Sequence, residues 1–111
     1  MLQIRIENAI TIVNFQAVNR FNYIISQNVK DEVNQLMRKK DTKLIFDFTN
    51  IDFIDSSAIG SLISILKTSK ENNNSFALTN VNKEVQDLLE IMQLNTIFTL
   101  YPTMEEALSK I

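Results

Sequence analysis

Asp55, Ser56 and Ser57 place two hydroxyls beside a carboxylate where an apolar run, Leu44 to Ile54, gives way to a helical pattern. Asp and Ser are favoured helix N-caps because a side-chain oxygen accepts a hydrogen bond from a first-turn N–H. The same end of a helix carries unpaired N–H groups and the positive end of the macrodipole, so it favours negative charge, a phosphate included. Two chemistries therefore fit these residues. One is plain capping. The other is a hydroxyl offered for phosphorylation, a switch rather than a substrate site. If Asp55 is the cap, Ser56 occupies the first helical position with its hydroxyl free, and Ser57, nearly opposite the apolar stripe, is expected to be exposed as well. Gly60, the only glycine of the chain, follows within the same turn. Glycine inside a helix costs about 1 kcal/mol relative to alanine, so its presence implies close approach, either by a neighbouring strand or by a partner's surface.

The elements that must position this segment follow from periodicity. Leu2, Ile4 and Ile6 alternate, and Glu7 to Ala9 reads as a turn into Ile10 to Phe15, which gives an N-terminal hairpin. Ile25, Val29, Val33, Leu36 and Met37 recur at helical spacing, with the basic run Arg38 to Lys40 complementing the dipole at the far end. Lys43 to Phe48 suits a central strand covered on both faces. Ile59, Leu62, Ile63 and Leu66 form the stripe of the next helix, with Ser57, Ser61, Ser64 and Thr68 opposite. Glu71 to Asn74 reads as a solvated loop, Ser75 to Thr79 as a strand, and Val85, Leu88, Leu89 and Met92 as a helix. Ile97 to Tyr101 is the last strand. Thr103 and Glu106 then have the spacing of a capping box that opens a final helix. The order β-β-α-β-α-β-α-β-α predicts an α/β fold: one mixed, mostly parallel sheet of four to five strands with about four helices, in a single domain over residues 1–111.

Composition narrows the functions. The chain has no cysteine and no histidine, so it has no thiol nucleophile, no imidazole base and no ordinary zinc site. A formal net charge of −2 gives no reason to expect nucleic acid. The apolar runs are far too short to span a membrane, and the alternating N-terminus lacks the core of a secretory signal, so a cytoplasmic location is expected. Neither a cofactor nor a metal is called for. An enzyme would have to rely on Asp47, Asp52 and Asp55 as a magnesium cluster or a phosphoaspartate receiver, but no lysine lies in Ile97 to Tyr101 to complete such a site.

Phe48 to Gly60, FTNIDFIDSSAIG, resembles the signature of the STAS family (sulphate transporter and anti-sigma factor antagonist), in which an apolar strand runs into Asp-Ser-Ser-Gly-Leu-Gly. Ala58 and Ile59 replace the first glycine and the leucine. Val18 to Val33 resembles the family's turn and first helix, with Asn22 where aspartate is frequent, and the order of elements agrees over nearly the whole chain. The resemblance implies a free-standing anti-sigma factor antagonist. It implies that Ser56 is the phosphoacceptor, with Ser57 as second choice, and that Asn22, Asp55, Ser57, Ile59 and Gly60 lie in or beside the partner surface. The implied partners are an anti-sigma factor that is also a serine kinase and a PP2C-like phosphatase. The other function the resemblance allows is an unphosphorylated adaptor in a lipid or anion transport assembly.

Overall fold

The computed structural model describes residues 1–111. Its elements are β1 (Leu2–Glu7), β2 (Ile10–Phe15), β3 (Arg20–Phe21), α1 (Tyr23–Met37), β4 (Lys43–Asp47), β5 (Phe53–Ile54), α2 (Ser56–Glu71), β6 (Ser75–Thr79), α3 (Lys83–Ile91), a 3-10 turn (Leu94–Thr96), β7 (Thr99–Tyr101) and α4 (Met104–Lys110). Five strands form one sheet in the order β1-β2-β4-β6-β7. β1 and β2 are the expected antiparallel hairpin, and every other neighbour in that sheet is parallel. This is the mixed, mostly parallel α/β sheet with four helices that the periodicity predicts.

The hairpin turns through Asn8 and Ala9, both at positive φ, the geometry of a tight turn whose twist suits the flanking strands. Glycine would be the usual choice there, but none of the eight left-handed positions in this chain is glycine, and half of them are asparagine. Asparagine tolerates that region because its short side chain bonds locally.

β4 is buried on both faces. Leu44 and Phe46 face the larger core, shared with α1, α2 and α3, while Ile45 faces a smaller one with Ile10, Ile12 and Ala107 of α4. Within the larger core Phe15, Phe21, Phe46 and Phe48 form an aromatic block. Phe15 and Phe46 stack with centroids 5.0 Å apart, and Phe48 meets Phe46 edge-on, also at 5.0 Å. Phe21 lies 5.3 Å from Phe15. Such pairs add to the burial of the rings themselves.

Five details differ from the periodic reading. β3 and β5 are a two-residue parallel ladder apart from the main sheet, Arg20 beside Phe53 and Phe21 beside Ile54, too short to leave an alternation. Ser61 is buried rather than opposite the stripe, because its hydroxyl donates to the Ser26 carbonyl of α1 at 2.9 Å and so loses nothing by leaving water. Asn74 is a tie rather than a solvated loop residue, accepting from Thr42 N–H at 2.8 Å and donating to the Met37 carbonyl at 2.6 Å. Only Thr99–Tyr101 of the expected last strand pairs with β6, since the chain first passes through the 3-10 turn. At α4, Thr103 accepts from Glu106 N–H at 3.1 Å, but the Glu106 side chain takes Lys110 at 2.8 Å, so only one arm of the capping box forms.

Because Phe46 touches the other three rings of the block from the central strand, Phe46→Ala should cost about 3–5 kcal/mol of stability. Urea unfolding followed by circular dichroism would measure it; a loss below about 1 kcal/mol would mean that the block is not a keystone.

Candidate functional site

α2 starts where the residue types say it must. Asp55 is extended, with φ −114° and ψ −176°, and its Oδ1 accepts from Ala58 N–H at 3.0 Å. The other carboxylate oxygen does something that spacing along the chain does not reveal. Oδ2 accepts from the N–H of Tyr23, the first residue of α1, at 2.9 Å. Asn22 caps that same helix through Oδ1, which accepts from Ile24 N–H at 3.1 Å. Two helix N-termini thus meet at one carboxylate, which satisfies one orphan donor of each and sits at the positive ends of both dipoles.

The β3–β5 ladder sets this arrangement. Asp52 N–H donates to the Asn19 carbonyl at 2.9 Å and Asp55 N–H to the Phe21 carbonyl at 3.4 Å, so β5 and the α2 start are tied to the residues just before α1. Phe21 and Ile54 anchor the ladder in the larger core.

With Asp55 acting as the cap, neither serine is needed for that task. Ser56 and Ser57 are both exposed, and their hydroxyls take part in no hydrogen bond within the chain. Asn22 and Asp55 are half-buried and spend their side-chain oxygens on helix ends. Ile59, expected in or beside a partner surface, is 5% exposed and belongs to the larger core, so it would lie beside such a surface and not in it. Its position on the same stripe as Leu62 and Leu66 was the signal for this.

Gly60 is exposed, and a Cβ built on it would meet no atom within 4 Å. It does not have positive φ either. Close packing on a neighbouring strand is therefore not its reason. Around these residues lie apolar side chains that periodicity did not single out: Tyr23 at 71% exposure, Ile24 at 68% and Phe53 at 46%. Arg20 lies over the Phe53 ring, 5.6 Å from its centroid.

The carboxylates considered for an enzyme are dispersed. Asp47 accepts from Thr49 N–H, Thr49 Oγ1 and Asn80 Nδ2, all onto Oδ1, and so orders the turn after β4. Asp55 is committed to helix ends, and no three acidic residues converge where a metal ion could be held. No helix is long and apolar enough to cross a membrane.

Asp55→Ala should lower stability by about 2 kcal/mol, since it removes a cap of about 1 kcal/mol at each of two helices. Asp55→Asn supplies only one acceptor. It should keep one N–H protected and expose the other, so amide exchange at Tyr23 or Ala58, but not both, should quicken at least tenfold. Unchanged exchange at both amides would mean that the bridge is not formed in solution.

Comparison with known proteins agrees with this architecture. The family model described as the STAS domain matches residues 2–107. A candidate anti-sigma factor antagonist of Thermotoga neapolitana is 30% identical over 77 residues, covering 69% of this chain and 68% of that protein. Among solved structures, an anti-sigma-factor antagonist (STAS) domain protein from Planctomyces limnophilus superposes with a TM-score of 0.89 at 23% identity, covering 97% of this chain and 95% of the other. The Bacillus cell fate determinant SpoIIAA in its phosphorylated form superposes with a TM-score of 0.71 at 13% identity, covering 99% and 98%. The five-stranded mixed sheet, the helix that starts at Asp-Ser-Ser and the match over nearly all residues lead to one conclusion: the chain belongs to the STAS domain family.

Proposed function

We propose that this chain is an anti-sigma factor antagonist that acts as a phosphorylation-controlled partner switch. The unphosphorylated form binds an anti-sigma factor that is also a serine kinase, and a sigma factor is released. Transfer of a phosphoryl group to Ser56 Oγ ends that complex, and a PP2C-like phosphatase restores it. The kinase supplies ATP and magnesium; this chain supplies the acceptor and no catalytic group.

The observation that carries the reading is the free, exposed hydroxyl of Ser56 at the first position of α2, left unused because Asp55 does the capping. Family membership and the naming of the Thermotoga relative as a candidate antagonist support it. Ser57 is equally exposed, and Ser56 is preferred as the first serine of the family motif.

The electrostatics explain how a phosphate could act without refolding the domain. Phosphoserine carries about −1.5 to −2 charges at pH 7. The N–H groups of Ser56 and Ser57 donate to no capping side chain, and the helix dipole favours an anion beside them. Asp55 and the exposed Asp52 oppose it. The balance lets the phosphate exist on the free protein, where water solvates it. Pressed against a partner built for a neutral hydroxyl, the same charge must shed that water without compensation, which is costly.

Gly60 gives the reading a second footing. Within the chain it has neither a conformational nor a packing reason, so what remains is a partner backbone or side chain that needs the space.

Incubation with the cognate kinase and ATP followed by phosphosite mapping should place the modification on Ser56 and abolish it in Ser56→Ala. Ser56→Asp should bind the kinase at least tenfold more weakly than wild type. Modification that persists on Ser57 in Ser56→Ala would move the acceptor by one residue, and a Ser56→Asp variant that binds like wild type would end the switch reading. A separate pair of measurements addresses Gly60. Gly60→Ala should raise stability by about 1 kcal/mol, while Gly60→Leu should keep a wild-type unfolding midpoint or better and weaken partner binding at least tenfold. Wild-type binding by Gly60→Leu would remove the partner explanation.

A further inference from the structure

A small open cleft of about 160 Å³ lies between β5 and the first two turns of α3, lined by Phe53, Ile54, Val85 and Leu88 with Asp52 and Glu84 at its polar side. Its floor is apolar: Ile54 and Val85 are 3% exposed, Leu88 is half-buried, and Phe53 leaves 46% of its surface to solvent. Its two carboxylates are exposed and neither has an ionic partner. The ion pairs of the chain are Arg5 with Glu7, Lys83 with Asp87 and Lys110 with Glu106. Lys83, next to Glu84, is thus taken by Asp87, and Arg20 lies over the Phe53 ring without pairing with either acid.

We infer that this cleft is the specificity pocket of the partner surface and takes an aliphatic side chain flanked by a lysine or arginine. The reasoning is one of complementarity. The volume suits a single aliphatic side chain, and the apolar walls reward its burial. Two like charges on one rim repel each other and gain by sharing a cation, which also sets register and excludes acidic segments. The cleft is continuous with the proposed switch surface, because Phe53 and Ile54 run directly through the Asp55 cap into Ser56. Ser56 does not line it, so a cation seated between Asp52 and Glu84 is not placed on the acceptor hydroxyl, and the switch and the pocket act on different parts of one interface. This inference rests on the switch reading only for the identity of the natural partner.

The test uses the full chain, labelled with ¹⁵N, and three blocked tripeptides as probes: Lys-Leu-Lys, Lys-Ser-Lys and Glu-Leu-Glu. Lys-Leu-Lys should shift the amide signals of Phe53, Ile54, Val85 and Leu88, at least tenfold more tightly than either of the others, and the shifts should shrink at about 0.5 M salt, where exposed charges are screened. The exposed double variant Asp52→Lys with Glu84→Lys should stay folded, with a slightly lower unfolding midpoint because Glu84 stands in the first turn of α3, and lose at least tenfold in Lys-Leu-Lys affinity. Absence of shifts in the cleft, equal response to Glu-Leu-Glu, or undiminished binding by the charge-reversed variant would each overturn the pocket. None of these outcomes depends on Ser56, whose modification by the kinase is read separately; a failed pocket with Ser56 still phosphorylated leaves the switch standing, and the reverse result leaves the pocket standing.

Discussion

One carboxylate holds two helices at their positive ends. Asp55 accepts from Ala58 N–H of α2 through one oxygen and from Tyr23 N–H of α1 through the other, so it ties the starts of the two helices together. A serine or asparagine at this position would cap α2 alone, because only a carboxylate presents two equivalent acceptors. The same residue frees Ser56 and Ser57 from structural duty.

The bridge is held from below. Phe21 and Ile54 carry the short β3–β5 ladder into the larger core, where Phe15, Phe46 and Phe48 meet Phe21 as a tilted and stacked block. Along α1 and α2 the two helices are tied again farther on, by the buried Ser61 hydroxyl on the Ser26 carbonyl and by Asn34 on Ser64. Such support under an exposed hydroxyl fits the proposed switch, since little ordering cost would then be left on binding.

Glycine scarcity makes the surface easier to read. This chain turns through left-handed backbone with asparagine, alanine, aspartate and glutamine, and never with glycine. The one glycine it keeps stands in a helix, in open space, one turn from the serines. Elsewhere the chain spends side chains on its turns; at Gly60 it withholds one. Tyr23 and Ile24 at the start of α1 and Phe53 of β5 stay exposed as well.

The sequence by itself determined the alternation of strands and helices, the N-terminal hairpin, the doubly covered central strand at Leu44 to Phe46 and the cap at Asp55, because each is a local matter of period or of a residue type at a helix end. Only the tertiary structure decided what depends on residues far apart in the chain. Asp55 and Tyr23 are brought together across 32 positions, and Ser61 becomes a core residue only because the Ser26 carbonyl, 35 positions away, receives its hydroxyl. The β3–β5 ladder is two residues long, too short to leave a period, and is specified by its neighbours instead. Ile59 turns inward with Leu62, as its stripe predicts, whereas the open space around Gly60 is decided by what packs near that turn of α2, which no local period reveals.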